Sequence, residues 1–304
     1  MIPESVPKKF QQTVSEVYGE RGVQWLRGLP DLIADCEGRW DLRVLAPFEL
    51  SYNYVTPAVR SDGMPVILKL GVPNPELTSE IQALQCFDGR GAARLLEGYP
   101  EEGIVLLERL LPGRPLEHLD DDRQATSIAA QLMRRLWRQV PLQHPFIPLD
   151  QWTAGLKRLR VKFNGDPGPF PEKMVARAEG LISELLASSS QRVLLHGDLH
   201  HWNILSAQRQ DWLAIDPKGL VGDPAFEVGA WLLNPKPRNL SGDGLKHQLH
   251  RRLDQFADEL ELKPERLKGW GFALAMLSAW WSYEDHGYGW EHALEIAKIL
   301  LNMV

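Results

Sequence analysis

The stretch HGDLHHWNILSAQRQDWLAIDPKGLVGDPAFE, residues 196–227, decides how this chain folds. An apolar run that begins at Val193 predicts a buried strand, but polar side chains interrupt it before it resumes at Ile204. The interrupting polar side chains are His196, Asp198, His200, His201 and Asn203. Two short strands around the polar turn SAQRQD then predict a hairpin, which would bring Asp216 back beside Asn203.

Three of these side chains form a set that phosphoryl transfer to a hydroxyl requires. One carboxylate must accept or orient the hydroxyl proton, and two oxygen ligands must hold Mg²⁺ against the nucleotide phosphates. Carboxylate and amide oxygens are ligands that Mg²⁺ accepts, together with water. We therefore predict that Asp198 is the catalytic base and that Asn203 and Asp216 are the metal ligands.

The first third of the chain contains the cation that such a reaction also needs. Lys69 lies in the strand-like run VILKL, and Glu80 follows in a segment with helical spacing. A strand lysine paired with a helix glutamate holds the phosphates in kinases. The segment LLERLLPG (106–113) then has the character of a linker, and we expect Arg109 and Leu111 to meet the adenine edge through their backbone.

The two halves of the chain differ in their periodicity. Residues 8–27 predict a helix that ends before Pro30, and residues 75–87 predict another. Strand-like runs rich in Val, Ile and Leu occupy residues 41–45, 54–60, 65–70, 93–99 and 103–110. After residue 115 the spacing is mainly helical. We predict an α+β, two-lobed protein-kinase-like fold, with a nucleotide-binding lobe over residues 1–110 and a helical catalytic and substrate lobe over residues 111–304.

These motifs resemble those of a known family. HGDLHxxN followed by IDPxxLVGDPAFE is similar to the aminoglycoside phosphotransferases, and residues 192–227 are especially similar to the streptomycin 6-kinase and hydroxyurea-resistance kinase branch. The resemblance implies a small-molecule kinase that uses ATP and Mg²⁺, and it implies the same roles for Asp198, Asn203 and Asp216. It also implies that Lys69 contacts the phosphates and that Glu80 is its partner.

The chain departs from the kinase pattern at two places. Protein kinases carry a Gly-rich loop after the first strand, whereas residues 46–56 (APFELSYNYVT) contain no Gly. Antibiotic kinases often have a Ser-containing loop there, so we expect Ser51 and Asn53 to cover the phosphates. The motif GDPAFE ends in Glu227 where the family usually has Asp. We interpret this residue as a structural substitution.

Composition limits the partners. The net charge of −6 disfavours a general nucleic-acid binder. Two cysteines without a CxxC motif, and a polar N-terminus, favour a cytoplasmic protein without a membrane span. The apolar run at residues 271–281 is too short to cross a bilayer and predicts a buried helix. The sequence does not indicate an oligomeric state.

A cationic small molecule is the acceptor that the sequence favours. Glu284 and Asp285 lie in WWSYEDHGYGW, where aromatic and acidic side chains mix just after a predicted buried helix. Such a mixture suits a guanidinium or amine through cation–π contact and charge pairing. The resemblance to the streptomycin 6-kinase branch implies streptomycin or a related aminoglycoside as the substrate, and Glu284 and Asp285 are the expected substrate contacts.

Other interpretations stay open at this point. The same chemistry fits a metabolic kinase for an amino alcohol, a sugar or a nucleoside-like acceptor. A catalytically inactive nucleotide-binding module is a further alternative, and a protein kinase is disfavoured by the missing Gly-rich loop. The histidines of residues 196–201 could instead bind zinc, although HxxxH alone is a weak signal. We expect His196 to be structural, with its ring bonded to the loop backbone.

Overall fold

The computed structural model describes residues 6–140, 144–235 and 241–303. The chain divides into two compact units, Met1–Gly113 and Arg114–Val304. The sequence predicts this division after residue 110. Strand β6 (Pro112–Pro115) crosses the division, and the backbone N–H of Arg114 donates to Ser206 Oγ over 2.9 Å.

The first unit is built around one antiparallel sheet with the strand order β1-β2-β3-β5-β4. Its helices are α1 (Lys8–Tyr18), α2 (Glu20–Trp40) and α3 (Pro75–Phe87). Its strands are β1 (Leu42–Val44), β2 (Tyr54–Arg60), β3 (Pro65–Leu70), β4 (Leu95–Tyr99) and β5 (Ile104–Glu108). These strands overlap all five strand-like runs of the sequence.

Alternation along the central strand β3 separates the core from the site. Val66, Leu68 and Leu70 are buried in the apolar cluster that α1 and α2 form on the sheet. Successive side chains of a strand point to opposite faces, so Lys69 projects from the other face. Its backbone pairs with Val55 of β2 and Val105 of β5, which holds the lysine in the middle of the sheet.

The predicted end of the first helix before Pro30 is wrong. The chain breaks at Gly19 instead, and α2 then continues through Pro30 to Trp40. A proline inside a helix costs about 3 kcal/mol. The α2 side chains Leu26, Leu29 and Cys36 are completely buried on the sheet. Full burial of a large apolar side chain contributes about 1.5–3 kcal/mol, so the buried face outweighs the proline.

The second unit is mainly helical. Its helices are α4 (Asp122–Leu136), α5 (Leu149–Trp152), α6 (Gly155–Lys162), α7 (Glu172–Ala187), α8 (Val228–Leu232), α9 (Asp243–Leu260), α10 (Pro264–His286) and α11 (Glu291–Leu301). Its further strands are β7 (Arg138–Gln139), β8 (Ile147–Pro148), β9 (Val193–Leu195), β10 (Ile204–Ala207), β11 (Trp212–Ala214) and β12 (Leu220–Gly222). Short 3₁₀ turns lie at Leu116–His118, His201–Asn203 and Pro224–Glu227.

Helix α10 is the central element of this unit and confirms the buried helix predicted at residues 271–281. Trp270, Phe272 and Trp280 are fully buried in it. Within the described ranges, no helix is long and apolar enough to cross a membrane. Two small sheets, β7-β9-β12-β8 and β11-β10-β6, carry the loops around residues 196–223.

The position of Pro30 gives a prediction for stability. Pro30→Ala restores a backbone donor inside α2, which stabilises the folded chain. The substitution also makes the unfolded chain more flexible, which opposes part of this gain. We expect a net increase of about 1–2 kcal/mol in the free energy of unfolding. Urea denaturation followed by circular dichroism measures it. Pro75→Ala is the matched control, because Pro75 occupies the first turn of α3, where proline is favourable. A loss of stability in Pro30→Ala would contradict the assignment of a cost to Pro30.

Candidate active site

The first unit contains a buried ion pair. Lys69 Nζ lies 2.7 Å from Glu80 Oε1 and 2.8 Å from Oε2, and both residues are less than 10% exposed. Helix α3 is fixed at its start by Asn74, whose side chain accepts the N–H groups of Glu76 and Leu77. The pairing predicted for Lys69 and Glu80 is therefore present. A buried pair of this kind contributes little net stability, which favours a functional reason for its retention.

The loop between β1 and β2 contains the residues expected to cover phosphates. Ser51 is exposed and Asn53 is half-buried. Asn53 Oδ1 lies only 2.3 Å from the point where a Cβ on Gly71 would sit, so Asn53 packs against the residue that follows β3. Arg109 and Leu111, both half-buried, follow β5 in the linker. The roles of these four residues stay predictions.

Glu227 anchors the loop that the opening sequence motif encodes. Its carboxylate is buried, and it accepts the backbone N–H of His196 at Oε2 and of Gly197 at Oε1, each over 2.8 Å. Leu199 donates a further backbone hydrogen bond to it. Burial raises the pKa of Glu227 to about 7, although these backbone hydrogen bonds oppose the rise. The residue interpreted as a structural substitution thus holds the loop at three backbone positions, 196, 197 and 199.

His196 braces the same loop from within, as expected. Its Nε2 lies 2.8 Å from the carbonyl oxygen of Ile215, and its Nδ1 accepts the N–H of Asp198 over 3.3 Å. Burial lowers the pKa of His196 to about 3, so the ring is neutral. Gly197 has a φ of +84°, and a Cβ there would lie 2.7 Å from Leu220 Cγ. Only glycine fits between the two polar residues.

Asp198 and Asn203 are joined through the backbone of this loop. Asn203 Nδ2 donates to the carbonyl oxygen of Asp198 over 2.9 Å, which leaves its Oδ1 as the atom able to bind a cation. The carboxylate of Asp198 is 38% exposed, and His200 Nε2 lies 3.7 Å from its Oδ1. A partly exposed carboxylate on a fixed loop can accept a proton from a bound hydroxyl.

The hairpin predicted from the sequence brings Asp216 to the other side of Asn203. Strands β10 and β11 pair Ile204 with Ala214, and Ile215 donates its N–H to the carbonyl oxygen of Asn203 over 2.9 Å. Asp216 follows at once, exposed and with a φ of +57°. An amide oxygen and a carboxylate on adjacent strand ends fit Mg²⁺, which usually takes one or two carboxylates and completes its shell with phosphates and water.

The histidines of the loop do not form a zinc site. Within the described parts of the chain, no three His, Cys, Asp or Glu side chains are arranged to hold a metal ion. Both ring nitrogens of His196 are engaged with backbone, and His201 is buried against Trp231. His200 Nδ1 accepts the N–H of Trp202 and thereby begins the 3₁₀ turn.

The segment around Glu284 and Asp285, expected to contact a cationic substrate, lies beside basic side chains of the protein itself. Arg158 forms a bidentate pair with Glu284, with N–O distances of 3.0 and 2.7 Å. Lys162 Nζ lies 5.2 Å from the centre of the Tyr283 ring. Asp285 is exposed. The role of Glu284 and Asp285 in substrate binding stays a prediction, and the aromatic and acidic pattern already has an internal explanation.

Sequence reasoning missed two elements of this site. The anchoring role of Glu227 had a signal, because a carboxylate within the apolar segment AFEVGAWLL must be buried and bonded. Arg252 is 2% exposed and is also part of the second unit's interior. It falls between Leu249 and Leu253 on the buried face of α9, which was the available signal.

Comparison with known proteins defines the class and then the family. The model for the aminoglycoside/hydroxyurea antibiotic resistance kinases matches residues 43–286. The streptomycin 6-kinase of Streptomyces griseus is 35% identical over 284 residues, which cover 92% of this chain and 91% of that protein. The hydroxyurea phosphotransferase of Kitasatospora aureofaciens is 34% identical over 302 residues, which cover 97% and 86% respectively.

A solved structure supports the fold. The choline kinase LicA of Streptococcus pneumoniae superposes with a TM-score of 0.63 at 13% identity, covering 90% of this chain and 98% of that one, and a second structure of it holds AMP. The protein-kinase-like α+β fold is thus confirmed, and the chain is a small-molecule kinase. It belongs to the aminoglycoside/hydroxyurea antibiotic resistance kinase family.

The raised pKa of Glu227 predicts a pH dependence of stability. A buried carboxyl whose folded pKa is about 7 and whose ordinary value is 4.5 favours the folded state most when it is protonated. Relative to Glu227→Gln, the free energy of unfolding of the native chain should fall by about 3 kcal/mol as the pH rises from 4.5 to 7. Denaturant titrations of both proteins across this range measure the difference. A difference that is constant with pH would contradict the assignment.

Proposed function

We propose that this chain transfers the γ-phosphoryl group of ATP, with Mg²⁺, to a hydroxyl of streptomycin or a related aminoglycoside. The observation that carries the proposal is the loop held by Glu227, which keeps Asp198 and Asn203 in register with Asp216. The retention of the buried Lys69–Glu80 pair supports it further, because that pair has a use in phosphate binding and contributes little net stability.

Each side chain has a separate task in this mechanism. Asp198 accepts the proton of the acceptor hydroxyl while the hydroxyl oxygen attacks the γ-phosphorus. The bond between that phosphorus and the bridging oxygen of the β-phosphate breaks, and ADP is released. Asn203 Oδ1 and the Asp216 carboxylate would hold Mg²⁺, which when bound supplies positive charge to the phosphates. Lys69, kept in place by Glu80, adds a second positive charge.

The nucleotide contacts follow the resemblance. Ser51 and Asn53 would cover the phosphates, and Arg109 and Leu111 would offer backbone groups to the adenine edge. The half-buried position of Asn53 against Gly71 supports a short, fixed loop in place of a glycine-rich one. Nucleotide binding and catalysis are accordingly proposed for residues 1–110 and 111–304, respectively.

The choice of acceptor rests on relatedness. The 35% identity with a streptomycin 6-kinase favours a streptomycin-type acceptor. The 34% identity with a hydroxyurea phosphotransferase supports hydroxyurea as a second candidate. Both molecules offer a hydroxyl to the same base, so the proposed chemistry is unchanged between them. Glu284 and Asp285 would contribute to binding only if the acceptor is cationic.

The proposal predicts a specific loss of turnover. We expect Asp198→Asn to lower kcat by about 10²–10⁴-fold, the usual contribution of a positioned general base, while ATP still binds. ADP release with Mg-ATP should be measured on streptomycin, a 2-deoxystreptamine aminoglycoside, hydroxyurea, choline and several sugars. The exposed Asp211→Asn, in the hairpin turn, is the matched control and should retain full activity.

The panel separates the candidates. Turnover with streptomycin that depends on Asp198 supports the proposal, and turnover with hydroxyurea alone replaces the acceptor. Turnover with choline or a sugar alone indicates a metabolic kinase. Near-normal kcat in Asp198→Asn would refute the assignment of the base. Bound ATP without turnover on any acceptor would support an inactive nucleotide-binding module.

A further inference from the structure

Side chains of the loop Asp198–Asn203 alternate between solvent and interior. The side chains of Asp198, His200 and Trp202 are partly or well exposed, whereas Leu199 and His201 are 0% and 3% exposed. The interior side chains are therefore the ones that seat the loop. The residues packed beneath His201 therefore bear on the positions of Asp198, the proposed base, and Asn203, the proposed metal ligand.

The ring of His201 stacks on Trp231. Its ring centroid lies 3.6 Å from that of Trp231, with an angle of 22° between the planes. Both ring nitrogens are buried and have no hydrogen-bond partner among the residues that the structure describes. Burial lowers the pKa of His201 to about 2, so the ring carries no charge. It acts as a flat, neutral body against the indole.

Trp231 is in turn fixed by a buried guanidinium. The central carbon of Arg252 lies 5.8 Å from the centre of the Trp231 ring. Arg252 Nη1 donates to the carbonyl oxygens of Trp231 over 3.1 Å and Asn234 over 2.8 Å. One side chain therefore holds both the ring and the backbone at the end of α8.

Asp122 balances this charge at the start of α4. Arg252 Nε and Nη2 both donate to the Asp122 carboxylate, and Arg251 Nη2 donates to the same group. Burial alone would raise the pKa of Asp122, but the hydrogen bonds and charges of the two arginines outweigh burial and hold the pKa below its ordinary value. The contacts described for Arg251 end at Asp122, whereas those of Arg252 continue to Trp231.

We propose that Arg252 is a positioning residue for phosphoryl transfer, acting through the series Asp122–Arg252–Trp231–His201, here called the Arg252 brace. The inference rests on the proposed function, since it concerns the placement of Asp198 and Asn203. Apolar side chains of similar volume would fill the same space without the cost of burying a guanidinium. A fork of donors that joins Asp122 of α4 to the backbone at the end of α8, where Trp231 stacks on His201 of the loop, explains why arginine occupies this position.

The first test compares two replacements of His201. Phenylalanine keeps a flat ring and removes only nitrogens that have no described partner, so His201→Phe should keep kcat within about threefold of the native value. His201→Ala removes the stack, and a small misplacement of the loop should lower kcat by about 10–100-fold with little change in KM for ATP or streptomycin. Because a loss of folded protein would also lower the apparent kcat at constant KM, kcat should be expressed per folded protein, determined by circular dichroism and by the amount of ATP bound.

The second test compares the two neighbouring arginines. Arg252→Gln and Arg251→Gln each remove one partner of Asp122, but only the first disconnects Trp231. We expect Arg252→Gln to lower kcat as His201→Ala does, and Arg251→Gln to stay close to native. Hydrogen exchange of the backbone amides of residues 198–203 should be faster in Arg252→Gln and His201→Ala than in the native chain. This readout requires no turnover.

The outcomes that overturn the brace are distinct from those that overturn the proposed function. Equal losses in His201→Phe and His201→Ala, with native exchange rates, would mean that the ring nitrogens take part in chemistry. Equal losses of kcat in Arg251→Gln and Arg252→Gln would mean that the arginines act only by pairing with Asp122, and that the contact of Arg252 with Trp231 has no role in positioning the loop. Full activity of Asp198→Asn would refute the proposed base, while the exchange result would still test whether the brace seats the loop.

Discussion

The second unit of this molecule depends on one buried carboxylate that accepts backbone hydrogen bonds. Glu227 takes the N–H groups of His196 and Gly197, and without it these donors would be left unsatisfied in the interior. Because the loop leaves a buried strand and must return to another, its polar side chains can face outward only if its backbone is satisfied from within. Glu227 supplies that condition, and the placement of Asp198 follows from it.

The remaining constraints act on the same loop from other directions. His196 ties its start to Ile215, and the Asn203 amide ties its end to the carbonyl oxygen of Asp198. Beneath it, the Arg252 brace connects His201 to α4 and α8 through a series of buried contacts. A loop held at its start, end and underside loses little freedom when a substrate binds, which is what preorganised catalysis requires.

Local sequence patterns were sufficient to predict much of this arrangement. They were not sufficient to predict the pairing of residues that lie far apart in the chain. The strands around Lys69, the hairpin that returns Asp216 and the helix carrying Glu80 follow from spacing and turn residues within short segments. The continuation of α2 through Pro30 depends on a buried face that single-segment rules do not weigh. The pairing of Glu284 with Arg158 joins residues 126 positions apart, and no local signal announces it.

The measurement that addresses the central claim is direct detection of phosphoryl transfer. Native protein and Asp198→Asn should be incubated with Mg-ATP and streptomycin, and the acceptor examined by mass spectrometry and phosphorus NMR. We expect the native protein to yield a phosphate monoester of the acceptor, and Asp198→Asn to yield almost none while still binding ATP. A phosphorylated acceptor formed equally by both proteins would contradict the assignment of Asp198 as the base on the loop that Glu227 holds.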